Sequence, residues 1–75
     1  MSENPVRILA VDDNEEDFKI LLRLFSKVRS RPYVLENALS LAAGLAELKR
    51  HRHDVYLVDY RLGPDSGLDF LREIP

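Results

Sequence analysis

The sequence predicts an α/β fold built on a small parallel sheet, and three observations predict it. Three short apolar runs, Val6–Val11, Tyr33–Ala38 and Val55–Val58, read as strands. Stretches of helical periodicity follow each of them. The connections are short and carry the residues that cap and break such elements. Strictly alternating βαβαβα order argues for parallel strands with helices on both faces, because right-handed crossovers return each helix across the sheet.

Each element has its own warrant. The first run, VRILAV, is nearly continuous in apolarity, as a strand covered on both faces should be. Asn14 then suits an N-cap, with Glu15, Glu16 and Asp17 in the first turn and Asp17 as an acidic variant of a capping box. Phe18, Leu21, Leu22, Phe25 and Val28 recur on one helix face, which predicts a core-facing stripe. The RSRP segment stops that helix. YVLENA reads as a weaker strand, with Glu36 and Asn37 suggesting an edge position. Residues 39–51 are Ala/Leu-rich, place Leu41, Leu45 and Leu48 on one face, and end in basic residues, as the helix dipole favours. VYLV is apolar throughout, and a Gly63–Pro64 turn follows it. Ser66 caps a last short helix that Pro75 ends. With the two most apolar strands adjacent at the centre, the predicted strand order is 2-1-3.

Composition narrows the function. A chain of 75 residues forms one domain, expected to bury roughly 60% of its unfolded surface. A net charge of -2 gives no electrostatic footprint for nucleic acid or an anionic membrane. Without cysteine there is neither a disulfide nor a thiolate metal site. No apolar run approaches the ~20 residues that span a bilayer, and MSENPVR lacks the features of a secretory signal. The expected location is the cytoplasm.

The chemistry sits at two strand ends. RILAVDDN places Asp12 and Asp13 after the first strand, and DVYLVDYRLGPDSG places Asp59 after the third. In a parallel sheet these ends share one edge, with neighbouring strands about 4.8 Å apart. Two carboxylates at about 5 Å repel by roughly 3 kcal/mol at an effective dielectric of 20, so the cluster opposes stability. It either raises a pKa or binds a cation. An all-oxygen donor set suits Mg²⁺, with Mn²⁺ possible, and a carboxylate beside such an ion is a plausible nucleophile toward phosphorus. The bland accounts are a strand-end aspartate that caps a turn and acids that favour a helix N-terminus. His51 and His53 in KRHRHD read as a solvated, dipole-complementing helix end, and Tyr60 and Arg61 as exposed loop residues.

ILAVDDNEED (residues 8–17), ENALSLAAGLAELKR and HDVYLVDYRLGPDSGLDFL (residues 53–71) together resemble the receiver domain of bacterial two-component response regulators. The resemblance implies a flavodoxin-like three-layer fold. It also implies that Asp12 and Asp13 help hold Mg²⁺ and that Asp59 accepts a phosphoryl group from a histidine kinase or phosphotransfer protein. Arg61 matches the position that offers its backbone carbonyl to the metal, and Leu62 and Gly67 match the loop-and-helix pattern beyond it. The cation then sits where the strand order reverses, a rule for open α/β sheets drawn in part from this fold class.

Receivers of that family have five strands, whereas residues 1–75 supply three and part of a helix. The reading is therefore of a truncated receiver domain over 1–75, without the family's late Ser/Thr and Lys. It predicts an exposed third strand and self-association through it, as a homodimer. A dinucleotide-binding unit is excluded because acids stand where a Gly-rich phosphate turn is needed. A Mg²⁺-dependent phosphatase is disfavoured by the adjacency of Asp12 and Asp13. The alternative function is an interaction module that never takes phosphate.

Overall fold

A computed structural model describes residues 4–74. Its elements are β1 (Val6–Val11), α1 (Glu15–Phe25), β2 (Tyr33–Ala38), α2 (Leu41–Lys49), β3 (Val55–Val58), β4 (Arg61–Leu62), β5 (Asp65–Ser66) and α3 (Gly67–Arg72). β1, β2 and β3 form one parallel sheet in the order β2-β1-β3, as expected. β4 and β5 form a separate antiparallel hairpin, with Gly63 and Pro64 at its tip. That hairpin has no counterpart in the sequence reading, since Arg-Leu and Asp-Ser carry no strand-like alternation. The expected stop at Pro75 lies outside the described residues.

Strand pleating sorts the side chains. The register pairs Leu9 with Glu36 and Tyr56, and Val11 with Ala38 and Val58, so these side chains share one face. On that face Leu9, Val11, Ala38, Leu62 and Phe70 form the buried core, with Leu41, Leu45 and Leu48 of α2 packed against it. Gly44 lets α2 approach β1 closely: a Cβ there would lie 2.9 Å from Val11 Cγ1 and 3.1 Å from Phe70.

The opposite face is thinner. Phe25 of α1 meets Tyr33 of β2 with ring centroids 5.4 Å apart. Of the stripe expected to be core, Phe18, Leu21 and Phe25 are half-buried, and Leu22 and Val28 are exposed. α1 also ends earlier than RSRP. Ser26 Oγ donates to Arg23 O, and Lys27 N and Val28 N donate to carbonyls three residues back, tightening the last turn out of α geometry. Val55 on β3 is 40% exposed rather than covered, because among the described residues nothing pairs with the outer edge of β3.

No described helix is long and apolar enough to cross a membrane.

Candidate functional site

The two central strands deliver their carboxylates to one edge. Asp12 follows β1, and its N–H donates to Ala38 O at 3.0 Å. Asp59 follows β3, and its N–H donates to Val11 O at 2.9 Å, which keeps it in the ladder. The capping of α1 turns the chain sharply here. Asn14 Oδ1 accepts from the N–H groups of Glu16 and Asp17, and Asp12 Oδ1 accepts from Asn14 N–H at 2.9 Å.

Each of Asp12, Asp13 and Asp59 offers an oxygen within 4.8 Å of the others. Among the described residues no salt bridge reaches these three. Burial raises the Asp12 carboxyl above its ordinary value, and the charges of Asp59, Asp17 and Asp13 push the same way, against the Asn14 hydrogen bond. A half-buried acid facing two more is short of positive charge. The donors are all hard carboxylate oxygens, the set that Mg²⁺ and Mn²⁺ prefer, so the group can hold a metal ion.

Three supports were not foreseen from the residues. Gly63 takes φ 61°, a conformation glycine adopts without steric cost, and its N–H donates to Asp13 Oδ2 at 2.7 Å. That bond ties the hairpin to the acidic pair. Asn37, read only as an edge-strand marker, sends its amide to Ala10 O at 2.8 Å and to Asp12 O at 3.3 Å, bracing the end of β1. Gly67 seats α3 directly on β3's end: its N–H donates to Tyr60 O at 2.7 Å, and a Cβ would run into the carbonyl of Asp59. Arg61 lies exposed in β4, paired across the hairpin with Ser66, and Tyr60 is 66% exposed. The exposure of both agrees with the sequence reading, but Arg61 lies in a short strand and not in a loop. Ser66 caps α3 in a capping box with Asp69.

His53 departs from that reading. Its side chain is fully buried, not solvated, and its Nε2 lies 2.6 Å from Glu36 Oε1. The signal was out of reach because its partner is 17 residues away in another strand.

Comparison with known proteins adds one relative. The chain is 37% identical over 67 residues to the acid tolerance regulatory protein ActR of Sinorhizobium medicae, a match that covers 89% of this chain. The chain is thus similar to a regulatory protein. It spans about a third of that relative's length (33%). No family model matches.

Proposed function

We propose that this chain is the acceptor part of a phosphorelay, taking a phosphoryl group from a phosphohistidine onto Asp59 in a cytoplasmic signalling pathway. The observation that carries the reading is the convergence of Asp12, Asp13 and Asp59 within 4.8 Å at the C-terminal edge of a parallel sheet. Similarity to a protein named as a regulator supports it. Asp12, Asp13, Asp59 and the backbone carbonyl of Arg61 would hold Mg²⁺. Bound there, the ion supplies neutralising charge to the carboxylates and to the oxygens of the incoming phosphoryl group.

The step itself balances simply. A carboxylate oxygen of Asp59 attacks phosphorus, the N–P bond of the donor breaks, and its electron pair returns to the imidazole nitrogen, which takes a proton. The protein's part is positional. The ladder bond to Val11 O holds Asp59, the Gly63 N–H holds Asp13, and the Asn14 N–H holds Asp12.

The test is incubation with acetyl phosphate, read by intact mass with and without Mg²⁺, beside Asp59→Asn. A Mg²⁺-dependent gain of one phosphoryl group that the variant lacks is the expected result. No gain in the wild type, or an equal gain in the variant, rejects the reading.

A second reading is favoured by the outer edge of β3, which pairs with nothing among the described residues and leaves Val55 40% exposed. Such an edge is a template for another chain. Two copies joining by antiparallel pairing of their third strands would make the chain an interaction module. Sedimentation velocity across a hundredfold concentration range tests it, and a monomer throughout rejects it.

A further inference from the structure

The register of β3 against β1 decides whether Asp59 reaches Asp12 and Asp13, and the apolar pattern specifies that register poorly. Val-Tyr-Leu-Val has no polar residue to mark its faces, and its neighbour Ile-Leu-Ala-Val has none either. A strand apolar on both faces lacks the in/out alternation that makes a one-residue slip costly, so its register needs other contacts to mark it. A slip of one residue would turn Asp59 to the other face, and a slip of two would carry it about 6.6 Å along the sheet. The upper end contributes backbone bonds, Asp59 N–H to Val11 O and Gly67 N–H to Tyr60 O, but its side chains are three acids that repel one another. The side-chain anchoring is at the lower end.

That end carries a dense polar lock. Arg7 N–H donates to Asp54 Oδ2 at 2.8 Å, Asp54 N–H donates to Arg7 O at 2.6 Å, and Arg7 Nε donates to Arg52 O at 2.7 Å. His53, between them in sequence, reaches across β1 to Glu36 on β2 at 2.6 Å, and Arg7 Nη2 approaches the same carboxylate oxygen at 3.7 Å. The loop entering β3 is therefore fixed to both other strands. The His53 ring is fully buried and stands 6.0 Å from Tyr56, while its Nδ1 has no described hydrogen-bond partner. A buried, half-satisfied imidazole is a poor way to gain stability, but its bond to Glu36 forms in one register only.

We propose that His53 and Glu36, with Arg7 and Asp54, are positioning residues that lock β3 in the register placing Asp59 level with Asp12 and Asp13. The lock acts on the strand and does not touch the carboxylates. Its consequence for phosphoryl acceptance rests on the function proposed above; its effect on register does not.

The test compares His53→Ala and His53→Gln with the wild type, since a Gln amide can still donate to Glu36. Two quantities are read: hydrogen exchange of the Asp59 amide, which is bonded to Val11 O only in the native register, and Mg²⁺ affinity by titration. His53→Ala is expected to speed Asp59 exchange at least about tenfold relative to Leu9 and to weaken Mg²⁺ by about tenfold, the lower limit for losing a group bonded directly to a ligand, since the lock acts through the strand. His53→Gln is expected to restore both. A variant that loses melting temperature but keeps wild-type Asp59 exchange and Mg²⁺ affinity overturns the proposal, as does His53→Gln behaving like His53→Ala. If the wild type binds no Mg²⁺ while Asp59 exchange still responds, the lock stands and the metal reading falls. If His53→Ala does not fold, Glu36→Ala on the edge strand is read in the same two ways, and unchanged exchange there overturns the lock.

Discussion

Neutralising Asp12 should stabilise the metal-free protein. Charges whose oxygens lie within 4.8 Å of one another repel by about 3.5 kcal/mol at an effective dielectric of 20, and by about 0.9 kcal/mol in water. Asp12 is half-buried while Asp13 is exposed, so the relief from Asp12→Asn falls between these limits, at about 1–2 kcal/mol. In a domain of this size that raises the melting temperature by about 6–13 °C. The Asn side-chain oxygen still accepts the Asn14 N–H, so the turn into α1 survives. The pH dependence has a definite sign. Burial and neighbouring acids raise the Asp12 carboxyl above its ordinary value of 3.8, so the fold prefers it protonated. Stability from that preference is present below the ordinary value and lost as pH rises through the raised one. The advantage of Asp12→Asn is therefore full at pH 7 and shrinks on acidification toward pH 4. Thermal unfolding followed by circular dichroism at low salt, without divalent ions, measures it at both pH values. A variant no more stable than the wild type at pH 7, or an advantage that does not change with pH, would show that Asp12 carries no repulsion in the folded protein.

Further outcomes follow from close contacts and from the lower edge of the sheet. Gly67→Ala drives a methyl group into the Asp59 carbonyl and should cost about 1–3 kcal/mol in urea unfolding. Gly44→Ala gains helix propensity of up to about 1 kcal/mol but presses on Val11 and Phe70, so a net loss of about 1 kcal/mol is expected in the same assay. Ser66→Ala removes the acceptor for Leu68 N–H and should destabilise by about 1 kcal/mol. Glu36 is held below its ordinary 4.5 chiefly by the His53 hydrogen bond, so the stability it contributes is present above pH 4.5 and lost as pH falls through the lowered value. Urea midpoints of Glu36→Gln and wild type should therefore converge in acid.

Much of this architecture was legible in the residues. The three apolar runs mark the strands of the sheet, and alternation with helical segments fixes their parallel order. Once the order is 2-1-3, the meeting of Asp12, Asp13 and Asp59 follows from geometry alone. What stayed hidden depends on partners distant in sequence. The burial of His53 is set by Glu36, and the fixing of Asp13 is set by Gly63, fifty residues on. The hairpin of β4 and β5 arises from backbone geometry at the Gly63–Pro64 tip, not from side-chain pattern. Helical periodicity in α1 put Phe18, Leu21 and Phe25 on the half-buried side but also Leu22 and Val28, which are exposed, because periodicity carries no measure of how widely or deeply a face is covered.

The central claim is that Asp12, Asp13 and Asp59 together hold one divalent cation. Titrating the isotope-labelled protein with Mn²⁺ and following paramagnetic broadening of its amide signals tests that claim most directly. Broadening is expected to begin at residues 12–13, 59–61 and 63, to be reversed by Mg²⁺, and to weaken at least about tenfold in Asp13→Asn. Broadening spread evenly over the acidic surface, or centred on Glu15 and Glu16 of α1, would contradict that claim.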